Sequence, residues 1–341
     1  MALGWSKTKA LTLLGVPRSR LHYESNPRPK KKHPVPHRDR AIRTLSNTQI
    51  NGIVTLLEAN PHSSIEDVFY AALNNGIYIA SLSSFYRVAK NHNLLLYQRH
   101  GTKKKKSSRR HASQPPHVVA DNPKRVLCWD TTYLPGPTIR AHFHCHTVID
   151  LYSRKIVGAV VTERDTAGQI KELFAHILAN NPTVTTVHSD NGPLMTSTTL
   201  AKLFASHDVT ASFSRPYTSN DNPHIESVFH TLKGRTYYPH SFANITQAKQ
   251  WVEQFVTAYN NRPHGTLNGY TPNAVHDGTW RTHHNTRYDA INKALDKGWI
   301  TTPPTTLLKP PPPTTSIIRT TTATQPQPTT INTNPELFTT T

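Results

Sequence analysis

The stretch VLCWDTTYLPGPTIRAHFHCHTVIDLYSRKIVGAVV, residues 126–161, decides the fold. Three runs in it, Val126–Trp129, Ala141–Ile149 and Lys155–Val161, read as consecutive strands. Pro135, Gly136, Tyr152 and Ser153 supply the turns between them. Downstream the period changes. Ile170, Leu173, Phe174, Ile177 and Leu178 mark a helix over 166–179, followed by a short strand at Val184–Val187. A helix near 197–206, a strand around 209–213 and helices at 223–235 and 246–260 complete the segment. Three strands followed by alternating helix and strand predict an α/β fold, a mixed sheet with helices packed on it.

Upstream, residues 46–97 read as an all-α, three-helix unit. Ser46 with Gln49 and Ser63 with Glu66 have capping-box spacing, Gly76 closes the second helix, and Ser81 caps the third. In that third helix Leu82, Phe85, Tyr86 and Ala89 are expected to face inward. Ser83, Ser84, Arg87 and Lys90 form a polar side suited to phosphates and base edges, which predicts a helix-turn-helix-like DNA-binding domain. Residues 1–24 form a shorter pattern of the same kind. Ala10, Leu11, Leu13 and Leu14 precede Gly15, Pro17 and the basic Arg18 and Arg20. Residues 25–45 and 98–120 read as basic linkers, and Lys103, Lys104, Lys105 and Lys106 in the second are placed to follow a DNA backbone. Residues 121–280 hold the α/β core and 281–300 a C-terminal extension. The Thr/Pro-rich segment 301–341 lacks apolar content and is expected to be disordered.

The charge has a direction along the chain. The 341 residues carry a formal net charge of +19. Residues 1–120 hold 20 Lys/Arg against 5 Asp/Glu, and residues 121–300 hold 17 against 14. Such asymmetry predicts a polyanionic partner for the N-terminal part. The two cysteines, Cys128 and Cys145, lie in apolar runs and make neither a disulfide framework nor a CxxC zinc pair. No long apolar run or signal-peptide core occurs, so the expectation is a protein of the cytoplasm, associated with the nucleoid and not with a membrane.

Three carboxylates stand where strands end or a helix begins. Asp130 follows VLCW, and Asp190 precedes the turn pair Asn191-Gly192. Glu226 falls in the first turn of a helix that Asn222 can cap and Pro223 can open. In-line displacement at phosphorus builds negative charge on the attacking and leaving oxygens. Two divalent cations held by carboxylates relieve that charge. Mg²⁺ suits an all-oxygen site that keeps some waters, and Mn²⁺ can replace it.

The flanks WDTTYL, HSDNGPLMTSTTL and SFSRPYTSNDNPHIESVFHTLKGRTYYP, with 35 residues between Asp190 and Glu226, resemble the DDE integrase core. They resemble in particular the transposases of the insertion sequence family numbered three (IS-three). IDLYSRKIVG at 149–158 and YNNRPHGTLNGYTP at 259–272 extend the likeness across about 125–275. The resemblance implies an RNase H-like five-stranded sheet, shared with retroviral integrases, with Asp130, Asp190 and Glu226 as catalytic residues and ligands of two Mg²⁺ ions. It implies a transposase that cleaves DNA and transfers strands at insertion sequence ends. Lys233, two helical turns beyond Glu226, would contact the transposon end. Arg215, Tyr217 and Asn220 would touch DNA from a loop, and Tyr259, Asn260 and His264 would pack. The implied partners are terminal inverted repeats, target DNA, further copies of the chain in a synaptic homo-oligomer, and an upstream reading-frame product. Retroviral integrases add a His/His/Cys/Cys zinc module, but no cysteine precedes Cys128 here, which favours the bacterial branch. Two alternatives remain: a DNA-binding regulator without chemistry, or an RNase H-like nuclease. His142, His144 and His146 alternate along one strand and are expected to be structural or exposed rather than metal ligands.

Overall fold

The computed structural model describes residues 44–95, 118–215, 221–234 and 237–317, together with Leu11. The chain divides into two compact units, Met1–Asn47 and Thr48–Thr341. The expected helical unit at 1–24 lies outside the described residues apart from Leu11. Nearly all of the linker at 25–45, Lys103 to Lys106, Tyr217, Asn220 and residues 318–341 also lie outside them.

The described chain opens with three helices, α1 (Asn47–Glu58), α2 (Ile65–Asn74) and α3 (Leu82–Asn91). Then come β1 (Val119–Ala120), β2 (Val126–Pro135), β3 (His142–Asp150), β4 (Ile156–Thr162) and α4 (Ala167–Asn180). They are followed by β5 (Thr186–Ser189), α5 (Thr198–Ala205), β6 (Thr210–Phe213), α6 (Pro223–Lys233) and α7 (Ile245–Asn261). Last are α8 (Pro272–Asp277), α9 (Trp280–Asp296) and β7 (Thr315–Ser316).

The core is a mixed five-stranded sheet in the order β4-β3-β2-β5-β6. β2, β3 and β4 run antiparallel, whereas β5 lies parallel to β2 and β6 parallel to β5. Alternation along β2 explains why both faces are covered. Val126 and Cys128 join a cluster with Ile225, Val228, Phe229 and Leu232 of α6 and Val252 and Phe255 of α7. Leu127 and Trp129 join another with Ile170, Phe174 and Ile177 of α4 and Leu200, Leu203 and Phe204 of α5. β2 is longer than VLCW suggests, because the β3 ladder continues to Pro135↔His142. Asp130 therefore sits inside the strand rather than after it.

The turn after β3 is built on Asp150, which is fully buried. Its carboxylate accepts from the Ser153 N–H (2.6 Å), the Ser153 hydroxyl (2.7 Å) and the Lys124 N–H (2.6 Å). This explains structurally why IDLYSRK holds its shape. The Ser153 hydroxyl also meets His276 Nδ1 at 3.1 Å. Burial first, then Lys155 and Lys124, push the His276 pKa down from 6.5 to about 4. Unfolding returns it towards 6.5, so its contribution is fully present above about pH 6.5 and is lost as pH falls towards 4. Asp150, whose pKa burial raises, acts in the opposite sense. Substituting His276→Gln should therefore flatten the fall of Tm over this acid range. An unchanged pH profile would show that His276 carries no such linkage.

The helical region departs from the sequence expectation in two places, the cap of α2 and the facing of Tyr86. Besides its spacing from Ser46, Gln49 is buried, and its Nε2 donates to Ile79 O at 2.8 Å. The N-cap of α2 is Ser64, which accepts from the Asp67 N–H. Tyr86 points outward (44% exposed), because a 3.6-residue period buries Phe85, Val88 and Ala89 instead.

Residues 48–94 belong to the same compact unit as the sheet. Gly269 (φ +79°) carries the close approach, since a Cβ there would run into the Tyr70 ring of α2. Asn74 Nδ2 of α2 donates to the Gly269 carbonyl at 3.0 Å. Gly269→Ala combines left-handed strain with a clash and should destabilise the chain by about 3 kcal/mol in denaturant titration. A loss under about 1 kcal/mol would show that Tyr70 yields freely.

The segment from 301 is not disordered throughout, as its composition had suggested. Thr305–Leu308 form a 3-10 turn, and β7 pairs antiparallel with β1. Ile317 is fully buried in the cluster with α6 and α7. Backbone groups hold this strap: Asn268 Nδ2 donates to Pro310 O at 2.6 Å and Ile317 N–H to Val118 O at 2.9 Å. A composition count misses such anchoring, because it needs only a few apolar side chains.

Candidate active site

The parallel register brings two of the three carboxylates level. Val126, Leu127 and Cys128 pair with Thr186, Val187 and His188. Continuing that register by two residues sets Asp190, just past β5, beside Asp130. α6 supplies the third. Pro223 occupies its first turn, and Asn222 does not cap it with its side chain as expected. Instead Asn222 Nδ2 donates to Trp129 O at 3.2 Å and pins the helix start next to Asp130. Glu226, exposed in the first turn, faces the positive end of the helix dipole.

The Asp130 carboxyl is pushed up to about 7, chiefly by burial and further by the negative charges of Asp190 and Glu226. The Thr131 N–H, donating to Asp130 Oδ1 at 2.7 Å, partly opposes this. The Gly192 N–H approaches Asp190 Oδ1 at 3.4 Å, as the turn at Asn191-Gly192 requires. The three acids are thus within electrostatic reach of one another. Among the described residues, however, no three His, Cys, Asp or Glu side chains are gathered tightly enough to hold a metal ion.

A fourth acid nearby is neutralised, a feature the sequence reading missed. Asp221 is 1% exposed, and Arg215 grips it with Nε at 2.9 Å and Nη2 at 2.8 Å. The Arg215 N–H adds a third bond at 3.0 Å, and the pair holds the Asp221 carboxyl below the usual carboxylate range. Arg215, expected to touch DNA, commits its guanidinium to this fork. Beneath it, fully buried His188 meets Ser212 Oγ at 3.0 Å and the Asp221 carbonyl at 3.2 Å.

The remaining expected positions fall as follows. Lys233 is exposed at the end of α6, on the same side as exposed Glu226 and His230. On α3, Ser83, Arg87 and Lys90 are exposed, and Ser84 is half-buried with its hydroxyl 3.4 Å from Arg87 Nη2. Asn260 bonds both backbone groups of Ile156 (2.8 and 2.9 Å), beside the irregularity in the β3–β4 ladder. Tyr259 packs its ring edge-on to His264. His144 Nδ1 and His146 Nε2 both lie 2.8 Å from the carboxylate of Asp165, a partner the sequence did not single out. Cys128 and Cys145 are free and buried, and burial pushes their thiols up to about 12 and about 11.

Residues 120–219 match the integrase core domain family, and a second integrase core domain description covers 207–272. The transposase for insertion sequence element IS904 of Lactococcus lactis is 28% identical over 158 residues, covering 45% of this chain and 61% of that protein. Transposase InsF for insertion sequence IS3A of Escherichia coli is 27% identical over 157 residues, covering 45% and 54%. The chain thus spans little more than half the length of these relatives. The catalytic core domain of BIV integrase is 21% identical and covers 47% of this chain and 97% of its own, with a TM-score of 0.37. Residues 120–272, a little under half of the chain, are thus similar to integrase core domains, and the relatives that share them include insertion-sequence transposases.

Proposed function

We propose that the chain is a DDE transposase that cleaves DNA at the ends of an insertion sequence and joins the freed ends to target DNA. Asp130, Asp190 and Glu226 are its catalytic carboxylates. The observation that carries this reading is the convergence of these acids: the β2–β5 register runs from Asp130 towards Asp190, Asn222 ties the start of α6 to Trp129 O, and the charges of Asp190 and Glu226 add to burial in raising the Asp130 pKa to about 7. An unfavourable concentration of negative charge, kept where the central strands meet a helix start, suits cation binding.

The donor set is all oxygen, the chemistry that two Mg²⁺ ions take, with Mn²⁺ as a substitute. Bound there, the cations would supply Lewis acidity and neutralise charge developing on the phosphate oxygens. Asp130, Asp190 and Glu226 would hold the ions. The Arg215–Asp221 fork keeps a fourth carboxylate out of this set. Lys233 and exposed His230 extend the same helix face towards a DNA end. On α3, Ser83, Ser84, Arg87 and Lys90 offer a surface for duplex DNA, and the basic N-terminal third would add phosphate contacts. Pairing two ends calls for at least two copies of the chain. Among the described residues no helix is long and apolar enough to cross a membrane, which fits work on DNA in the bacterial cytoplasm.

The test is a labelled duplex carrying the element's terminal repeat, incubated with the chain and Mg²⁺ or Mn²⁺. Nicking at the repeat boundary followed by joined product is expected. Cleavage of an RNA–DNA hybrid alone would replace this reading with a nuclease, and end binding without either product would leave a DNA-binding regulator.

A further inference from the structure

On the face of the sheet opposite α6, a line of side chains runs from Asp165 to the residue beside Asp130. His146 is fully buried in β3. Its Nε2 lies 2.8 Å from Asp165 Oδ1, and its Nδ1 lies 2.8 Å from the Thr131 hydroxyl. A carboxylate only accepts, so Nε2 carries the proton. Burial keeps the ring neutral by lowering its pKa, and Nδ1 then accepts from the Thr131 O–H. The backbone N–H of Thr131 in turn donates to Asp130 Oδ1 at 2.7 Å. The chain of contacts is therefore Asp165, His146, Thr131, Asp130.

This tether lies where the sheet needs one. β2 pairs with β5 only at Val126, Leu127 and Cys128. Beyond Cys128, β3 is the only strand paired with the stretch carrying Asp130 and Thr131, and there Thr131 pairs with His146. The hydroxyl bond adds a side-chain anchor to that one-sided ladder. Asp165, directly before the N-cap of α4, ties the anchor to a helix. His144 Nδ1 lies 2.8 Å from the other carboxylate oxygen of Asp165.

The geometry points to His146 and Asp165 as positioning residues that set the carboxylate of Asp130 through Thr131. The inference rests on the proposed role of Asp130 as a cation ligand. Groups behind a metal ligand typically shift metal affinity by about 10- to 100-fold when removed. None of the three contacts the reacting atoms, so their loss should act on cation binding before it acts on DNA binding.

The test measures Mn²⁺ binding from the electron paramagnetic resonance signal of the free ion, using the full chain and a terminal-repeat duplex. Thr131→Val, which keeps shape and backbone, and His146→Phe should each raise the half-saturating Mn²⁺ concentration about tenfold. Thr131→Ser should restore it, and the Thr131→Val/His146→Phe double variant should be no worse than either alone. Asp165→Asn, at a partly exposed position, carries the same readout should Thr131→Val fold poorly. Wild-type affinity in the Thr131 and Asp165 variants, with affinity lost in Asp130→Asn, would overturn the positioning role while sparing the catalytic reading. Unchanged Mn²⁺ binding in Asp130→Asn would overturn both.

Discussion

Asp130→Asn should abolish strand joining, by about a thousandfold or more, while leaving end binding within about twofold of wild type. The same substitution should make the cation-free chain more stable. At about pH 8 an Asp130 whose pKa lies near 7 is charged in the native state, against burial and against Asp190 and Glu226. A folded pKa above the unfolded value means the ionised form destabilises the fold. A neutral amide of the same size removes that penalty, worth on the order of 2 kcal/mol after allowance for solvent screening. Loss of joining with a gain in Tm is the signature of a site kept for chemistry at the expense of stability. Joining at the wild-type rate would sink the assignment of Asp130. A fall in Tm would show that the carboxylate holds the strand in place.

Arg287→Leu should be the most damaging single change outside the site. Arg287 is fully buried in α9. Its Nε donates to Asn74 Oδ1 at 2.7 Å, and its Nη1 donates to Asn268 O at 2.8 Å and Leu307 O at 3.0 Å. Its guanidinium lies 3.7 Å from the centre of the Tyr270 ring. One side chain thus joins α2, the 264–270 loop, α9 and the C-terminal strap. Leucine fills part of the volume and relieves the cost of a buried cation, but it strands three acceptors. A net loss of about 3–5 kcal/mol is expected in denaturant titration. Protease sites in residues 48–94 should open before those in the sheet. A loss under about 1 kcal/mol, with both regions digested together, would show that apolar contacts alone dock the helices.

Much of the fold is legible in local pattern because its strands and helices follow their own periods. Ile170, Phe174, Ile177 and Leu178 are the buried face of α4, as their spacing predicts. Where reading failed, a distant partner had overridden a local rule. Asn222 looks like a cap until β2 presents Trp129 O. The Asp221 partner of Arg215, six residues on, was not singled out. The C-terminal strap looks like a polar tail because its anchors are backbone groups and one buried isoleucine.

The sequence alone determined the mixed sheet, its flanking helices and the three acids to watch. Strand and helix periods are local properties, and the motifs around Asp130, Asp190 and Glu226 are long enough to be specific. The tertiary structure decided which side chains those acids meet. Parallel pairing of β2 with β5 levels Asp190 with Asp130, and Asn222 fixes where α6 begins. Asp165 reaches Asp130 only through a cross-strand pair. Those relations depend on register and packing between segments far apart in the chain, which no local pattern encodes.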